Sequence, residues 1–202
     1  MDEGVVKYSI EHSKEEVSTP FVHYDAIESV RSHLVALGLI GEKAGIGYGN
    51  LSVRDTTTSG FFITATQTGA LPVLLQEHYS YVYRYSFDDF IVYSQGMHPP
   101  SSEALSHAMI YNIHPDITAV IHIHSLALWE YMIAHHYPAT TAAYGTKEMV
   151  DEIAALYTTK DPFVENALVM KGHHEGIMTF GASLHEAQLR LYDILKCYLL
   201  RE

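Results

Sequence analysis

The residues best equipped for chemistry are His122 and His124, which close the run Ile117-Thr118-Ala119-Val120-Ile121-His122-Ile123-His124. The run reads as a buried β-strand, and side chains two apart on a strand share a face. Both imidazoles therefore project to one side, with Ile121 and Ile123 on the other. Such a pair fits two roles. It can be two ordinary hydrogen-bonded histidines, or two ligands of a metal such as zinc, which when catalytic takes three protein ligands and keeps an open position. A third ligand has to come from elsewhere in the chain. Lys171-Gly172-His173-His174-Glu175-Gly176 is placed to supply it, because it too follows a buried strand.

Three further segments carry suitable groups. Ser101-Ser102-Glu103 opens a helix, where hydroxyls and free N–H groups make an anion cradle. Glu103 is either a first-turn acid favoured by the helix dipole or, beside a metal, a general base. Gly45-Ile46-Gly47-Tyr48-Gly49-Asn50 lacks the Lys-Ser/Thr of a P-loop and precedes a strand, which also rules out a Rossmann fingerprint. It is a tight turn or a loop whose N–H groups and Asn50 amide meet an anion. Thr64-Ala65-Thr66-Gln67-Thr68-Gly69 allows the same two readings.

The elements that must position these groups can be read from periodicity. Ile27, Val30, Leu34 and Leu37 recur at helical spacing and predict a helix from Tyr24 to Leu37, ended by Gly38. Strands are expected at Leu51–Arg54, Phe61–Ala65, Phe90–Ser94, Ala167–Met170 and Ile177–Phe180, with a turn over Asp55–Gly60. Helices are expected from the Ser101-Ser102 caps toward Pro115, from Leu126 to Ala134, and from a Thr146 cap to about Tyr157. A capping box, Ser183-Leu184-His185-Glu186, opens a last helix to about Leu200. Residues 1–21 are polar and read as an N-terminal arm; residues 22–202 read as a single α/β domain whose hairpins make the sheet mostly antiparallel.

Composition removes several classes. Twelve Lys and Arg against 24 Asp and Glu give a net charge of −12, so the basic stripe of a nucleic-acid binder is missing. An anionic substrate has to be held by local devices against that field. Cys197 is the single cysteine, so no intramolecular disulfide forms, and the thiol is expected to be buried and inert. No apolar run approaches the ~20 residues of a membrane span, and the first 20 residues lack the basic and apolar regions of a signal peptide. The expectation is a cytoplasmic protein with no membrane or nucleic-acid partner.

Taken in order, Gly49-Asn50-Leu51-Ser52-Val53-Arg54, Ile63 to Gly69, Ser101-Ser102-Glu103, His122-x-His124 and the 173/174 histidines resemble the class II aldolase and adducin family. The resemblance spans about residues 22 to 200. It implies a three-layer α/β sandwich with a central, largely antiparallel sheet between helices, assembled as a homotetramer with active sites at subunit interfaces. It further implies a zinc-dependent lyase of carbohydrate metabolism that cleaves a ketose 1-phosphate to dihydroxyacetone phosphate and an aldehyde through an enediolate. Zinc, or another divalent transition metal, falls on His122, His124 and a third histidine; strand register selects His173, and counting back from Gly176 selects His174. Glu103 matches the proton-transferring glutamate. The phosphate pocket maps onto Asn50, Thr68, Gly69, Ser101 and Ser102.

Two departures from the family pattern bear on substrate. The Thr64–Gly69 segment is longer than usual, so Thr66 or Gln67 is an alternative to Thr68 at the phosphate. The stretch from Pro138 to Gly145-Thr146 is much shorter than in the aldolases, where it supplies a tyrosine acid, and only Tyr144 stands nearby. That leaves an epimerase, a dehydratase or a decarboxylase of the same family as the alternative activity, and a non-catalytic adducin-like scaffold as the last.

Overall fold

A computed structural model describes residues 5–54 and 60–200; Asp55–Ser59 of the expected turn lie outside the described residues. The chain runs β1 (Ser9–Ser13), α1 (Tyr24–Ala36), β2 (Gly41–Lys43), β3 (Ile46–Tyr48), β4 (Asn50–Arg54) and β5 (Phe61–Thr64). After a short 3₁₀ turn at Gln76–His78 come β6 (Tyr79–Ser86), β7 (Ile91–Gln95), α2 (Ala104–Ile113), β8 (Ala119–His124) and α3 (Leu126–Ala134). The chain continues through β9 (Ala139–Thr140), α4 (Lys147–Leu156), β10 (Ala167–Met170), β11 (Gly176–Gly181) and α5 (Leu184–Leu200).

Nine strands form one sheet in the order β1-β7-β6-β5-β4-β8-β11-β10-β9, while β2 and β3 make a separate hairpin. Only the edge pairs β1–β7 and β9–β10 are parallel. The other six pairings are antiparallel. Every residue of β4 except Arg54, and all of β8, β10 and β11, is buried, as expected of strands covered on both faces. One face packs Ile63, Val120, Met178 and Phe180 against α2 and α4. The other packs Leu51, Ile121, Ile123 and Ile177 against α1, α3 and α5. The result is the three-layer sandwich, each core aliphatic contributing about 1.5–3 kcal/mol by leaving water.

Local signals set most of the helix ends. Gly38, at φ 70°, follows α1, and the bonds Leu39 N–H to Leu34 O and Gly38 N–H to Val35 O make a Schellman motif. Thr146 Oγ1 accepts from the Met149 N–H at the start of α4. At α5 only half of the capping box forms: Ser183 Oγ accepts from Glu186 N–H, while Glu186 Oε2 accepts from Ala182 N–H, one residue early. Cys197 on α5 is half-buried rather than enclosed. At α2 the cap is Glu103 itself, and Ser101 Oγ accepts from the Glu103 N–H at 3.3 Å. The periodicity also misses β6, whose burial falls in two blocks, Tyr79 to Val82 buried and Tyr83 to Ser86 exposed or half-buried. Among the described residues no helix is long and apolar enough to cross a membrane.

The polar N-terminal segment is built into the domain. Ser9–Ser13 lie parallel to Ile91–Gln95 as an edge strand. Just before them Tyr8 is buried, its hydroxyl donating to the Ser101 carbonyl at 2.7 Å.

Candidate active site

His122 and His124 stand at the C-terminal end of β8, an interior strand of the sheet between β4 and β11. Pairing fixes their neighbours: Asn50 of β4 lies opposite His122 on one side, and Met178 and Gly176 of β11 lie opposite His122 and His124 on the other. His173 sits in the turn between β10 and β11, and Glu103 at the N-cap of α2. Candidate ligand atoms of His122, His124 and His173 all lie within 4.8 Å of one another, and all three residues are buried. His174 is not part of this cluster. Its side chain is 65% exposed and packs beside the Trp129 ring.

The hydrogen bonding defines what the cluster can hold. His122 Nδ1 is 3.0 Å from the Ile177 carbonyl, which only accepts, so Nδ1 carries the proton and Nε2 offers its lone pair in the neutral ring. That Nε2 faces His124 Nε2 at 3.1 Å and Glu103 Oε2 at 3.0 Å. Asn50 Nδ2 donates to the same Oε2 at 2.9 Å. Glu103 Oε1 lies 3.4 Å from His173 Nδ1, and among the described residues neither atom has a hydrogen-bond partner although both are buried. Donor atoms converging in a buried space suit a shared proton or cation, and three imidazoles suit a divalent transition metal. The residues fit such an ion.

Charge states agree with this. Burial, reinforced by His122 and His173, lowers the His124 pKa to about 2, so its ring is neutral and able to ligate. Burial works to raise the Glu103 pKa, but positive charge on the cluster it faces, carried by the His122 and His173 rings when they are protonated, holds it well below the usual carboxylate range. Glu103 is therefore ionised at neutral pH.

Beside the cluster a narrow cleft of about 40 Å³ is walled by Gly47, Asn50, Thr68, Gly69, Ser101 and Glu103, among others. That is room for roughly three water-sized groups. Thr66 and Gln67 reach its wall as well, and the Gln67 side-chain oxygen accepts from Gly47 N–H at 3.2 Å. Ser102 is buried but is not part of the wall. The Thr68 hydroxyl donates to the Ala65 carbonyl at 2.8 Å, which commits its proton within the turn. Gly69 is pressed against the β2–β3 hairpin so closely that a Cβ there would lie 2.1 Å from the Gly41 carbonyl oxygen.

Two features of the site escape periodicity and motif spacing. Arg31, on the inner face of α1 and 1% exposed, donates to the carbonyls of Thr68 at 3.0 Å, Leu71 at 2.6 Å and Pro72 at 3.5 Å. Its partner Glu28 accepts from the Leu74 N–H and the Tyr79 hydroxyl. Arg31 and Glu28 thereby clamp the loop that carries Thr68 and Gly69. Only an unexpected charge on the apolar stripe of α1 signals this in the sequence. Tyr48 is the second feature, its ring 5.3 Å from that of His124; Tyr144, the tyrosine expected near the shortened segment, has its ring 4.7 Å from that of His173, and both line the cleft.

The model of the class II aldolase and adducin N-terminal domain matches residues 42–198. No curated protein sequence matches the chain. Among solved structures the fold is similar to an L-fuculose 1-phosphate aldolase, with a TM-score of 0.69 and 21% identity over 90% of this chain and 85% of that one. It is also similar to the L-fuculose-1-phosphate aldolase from Thermus thermophilus, with a TM-score of 0.57 and 22% identity over 87% and 88% of the two chains. A third is YgbL from Escherichia coli, described as a candidate aldolase/epimerase/decarboxylase, with a TM-score of 0.63 and 18% identity over 88% and 86%.

Proposed function

This chain belongs to the class II aldolase and adducin N-terminal domain family, and from that premise we propose that it is a metal-dependent, aldolase-type lyase. The proposed reaction is the reversible cleavage of a ketose 1-phosphate to dihydroxyacetone phosphate and an aldehyde. One observation carries the reading: three buried imidazoles meet one buried carboxylate, Glu103, 3.0 Å from His122. A scaffold has no chemical use for that arrangement, since each group costs desolvation that only a shared cation offsets.

In this reading His122, His124 and His173 hold the metal, proposed as zinc, with iron, manganese or cobalt suited to the same donors. When bound, it supplies Lewis-acid stabilisation of the charge that develops on the hydroxyketone oxygens. The remaining work belongs to side chains. Glu103, ionised and steadied by the Asn50 amide, takes the proton from the reacting carbon of dihydroxyacetone phosphate in condensation and returns it in cleavage. The phosphate subsite is assigned to Asn50, Thr68, Gly69, Ser101 and Ser102. Within it the Ser101 hydroxyl keeps a proton to donate, Thr68 and Gly69 act through backbone N–H groups, and Ser102 supports the wall from behind. A dianion held in this way needs no lysine, which suits a chain of net charge −12.

The proposal extends to a cytoplasmic homotetramer with active sites at subunit interfaces, and to a single domain over residues 22–202 whose sheet the preceding arm extends by one edge strand. A second reading rests on the short connection from Pro138 to Gly145, in which β9 is the only regular element. On it the same centre serves an epimerase, a dehydratase or a decarboxylase. Screening metal-loaded protein against fuculose, rhamnulose, ribulose and methylthioribulose phosphates separates them. Release of dihydroxyacetone phosphate from one is expected, and Glu103→Gln should keep metal and fold while lowering the rate by orders of magnitude. Water loss or epimerisation without that release would replace the aldolase by the second reading. Purified protein that holds no transition metal and gains no activity on adding one would defeat both.

A further inference from the structure

A second chamber, of about 480 Å³, adjoins the histidine cluster and shares Tyr48, His124, Tyr144 and His173 with the narrow cleft. The two differ in charge. No Lys or Arg lines the cleft, whereas Lys7 and Lys43 both reach the chamber, in a chain whose acids outnumber its Lys and Arg two to one. Lys43 is paired with Glu175 at 3.0 Å. Lys7 is not paired with any carboxylate among the described residues. Its Nζ lies 4.0 Å from the centroid of the Tyr144 ring and donates to the Tyr144 carbonyl at 3.1 Å.

Lys7 is held there by its own segment, which precedes the residues matched to the family. The Val5 N–H donates to the Tyr144 hydroxyl at 3.4 Å, and the Tyr8 hydroxyl, on the other side of Lys7, donates to the Ser101 carbonyl at 2.7 Å. The Tyr144 ring in turn lies 4.7 Å from the ring of His173. One aromatic ring thus separates an ammonium group from the imidazole cluster, on an arm pinned at both ends. Lys7 is exposed, so solvent moderates its pull on an anion, yet with no carboxylate partner among the described residues its charge is directed at whatever enters the chamber mouth.

We propose that this chamber receives the aldehyde half of the substrate and that Lys7 selects an aldehyde bearing an anionic group, a carboxylate or a phosphate ester, at the end remote from the reacting carbon. The aldehyde assignment rests on the aldolase reading; the anion preference is a property of the chamber itself.

The test uses the full-length metal-loaded protein with matched acceptors: succinic semialdehyde against butanal, and glyceraldehyde 3-phosphate against glyceraldehyde. Wild type is compared with Lys7→Gln, Lys7→Arg and, as an exposed lysine outside the chamber, Lys14→Gln. Condensation with dihydroxyacetone phosphate gives kcat/KM for each aldehyde, and calorimetry gives its binding without turnover. The anionic member of a pair should be preferred, with that preference falling about two- to fivefold in Lys7→Gln and persisting in Lys7→Arg and Lys14→Gln. Which pair responds distinguishes carboxylate from phosphate. Equal binding of charged and neutral partners, or a preference unchanged in Lys7→Gln, would overturn the inference while leaving the aldolase reading intact. Tighter, Lys7-dependent binding of the anion without condensation of any aldehyde would support anion selection by Lys7 and refute the aldolase reading.

Discussion

His107 should make the protein acid-sensitive in a way that a single substitution removes. It lies on α2 one turn beyond Glu103, is fully buried, and packs its Nδ1 2.7 Å from Ser52 Oγ, which also meets the Tyr111 hydroxyl at 2.6 Å. Its Nε2 has no hydrogen-bond partner among the described residues. Burial, aided by His122 and opposed by Glu103, lowers its pKa to about 3. In the unfolded chain a histidine titrates near 6.5. Below that pH the unfolded state takes up a proton that the folded state refuses, so stability falls as the pH drops from about 6.5 toward 3. At pH 5 the loss from this one ring is about 2 kcal/mol, rising to about 4 kcal/mol near pH 3. In His107→Asn the amide occupies the place of Nδ1 and keeps the contact with Ser52 while removing the titration. The ring deletion itself costs about 1–3 kcal/mol at every pH. Urea unfolding followed by circular dichroism, at one protein concentration and at pH 7.5 and 5.0, isolates the effect. Wild type should lose about 2 kcal/mol more than the variant between the two pH values. Parallel losses would refute the assignment of His107 as a histidine kept neutral by burial.

Other consequences follow from the same geometry. His173→Ala should release the bound divalent metal and His174→Ala should retain it, as read by elemental analysis of the purified variants; the reverse pattern would move the third ligand to the exposed ring. Arg31→Met strands the Thr68, Leu71 and Pro72 carbonyls and should cost about 3 kcal/mol in urea unfolding, with faster proteolysis between residues 66 and 75. Gly69→Ala should abolish phosphate-dependent turnover and lower Tm by several degrees, because the new methyl collides with the Gly41 carbonyl of an adjacent backbone that has no side chain to move.

Much of this protein is legible in its sequence because the signals are local. Strand alternation alone puts His122 and His124 on one face, and Thr146 and Gly38 mark helix ends through bonds made within a few residues. The order of short motifs points to the family, since a shared backbone keeps its loops in one succession. What the sequence leaves open depends on partners far along the chain. His173 and His174 are adjacent and chemically alike; only the turn between β10 and β11 buries one ring beside Glu103 and leaves the other in solvent. β6 is ambiguous because tyrosine is at home both inside and outside, and the fold alone buries Tyr81 while exposing Tyr83. Arg31 looks like a surface charge until the loop from Thr68 to Pro72 closes over it. Lys7 lies 137 residues from Tyr144, and their meeting beside His173 exists only once β1 has docked on the edge of the sheet. Periodicity fixes which way a side chain faces along its own element, whereas the distances that create a metal centre, a clamped loop or a charged chamber are set by packing between elements.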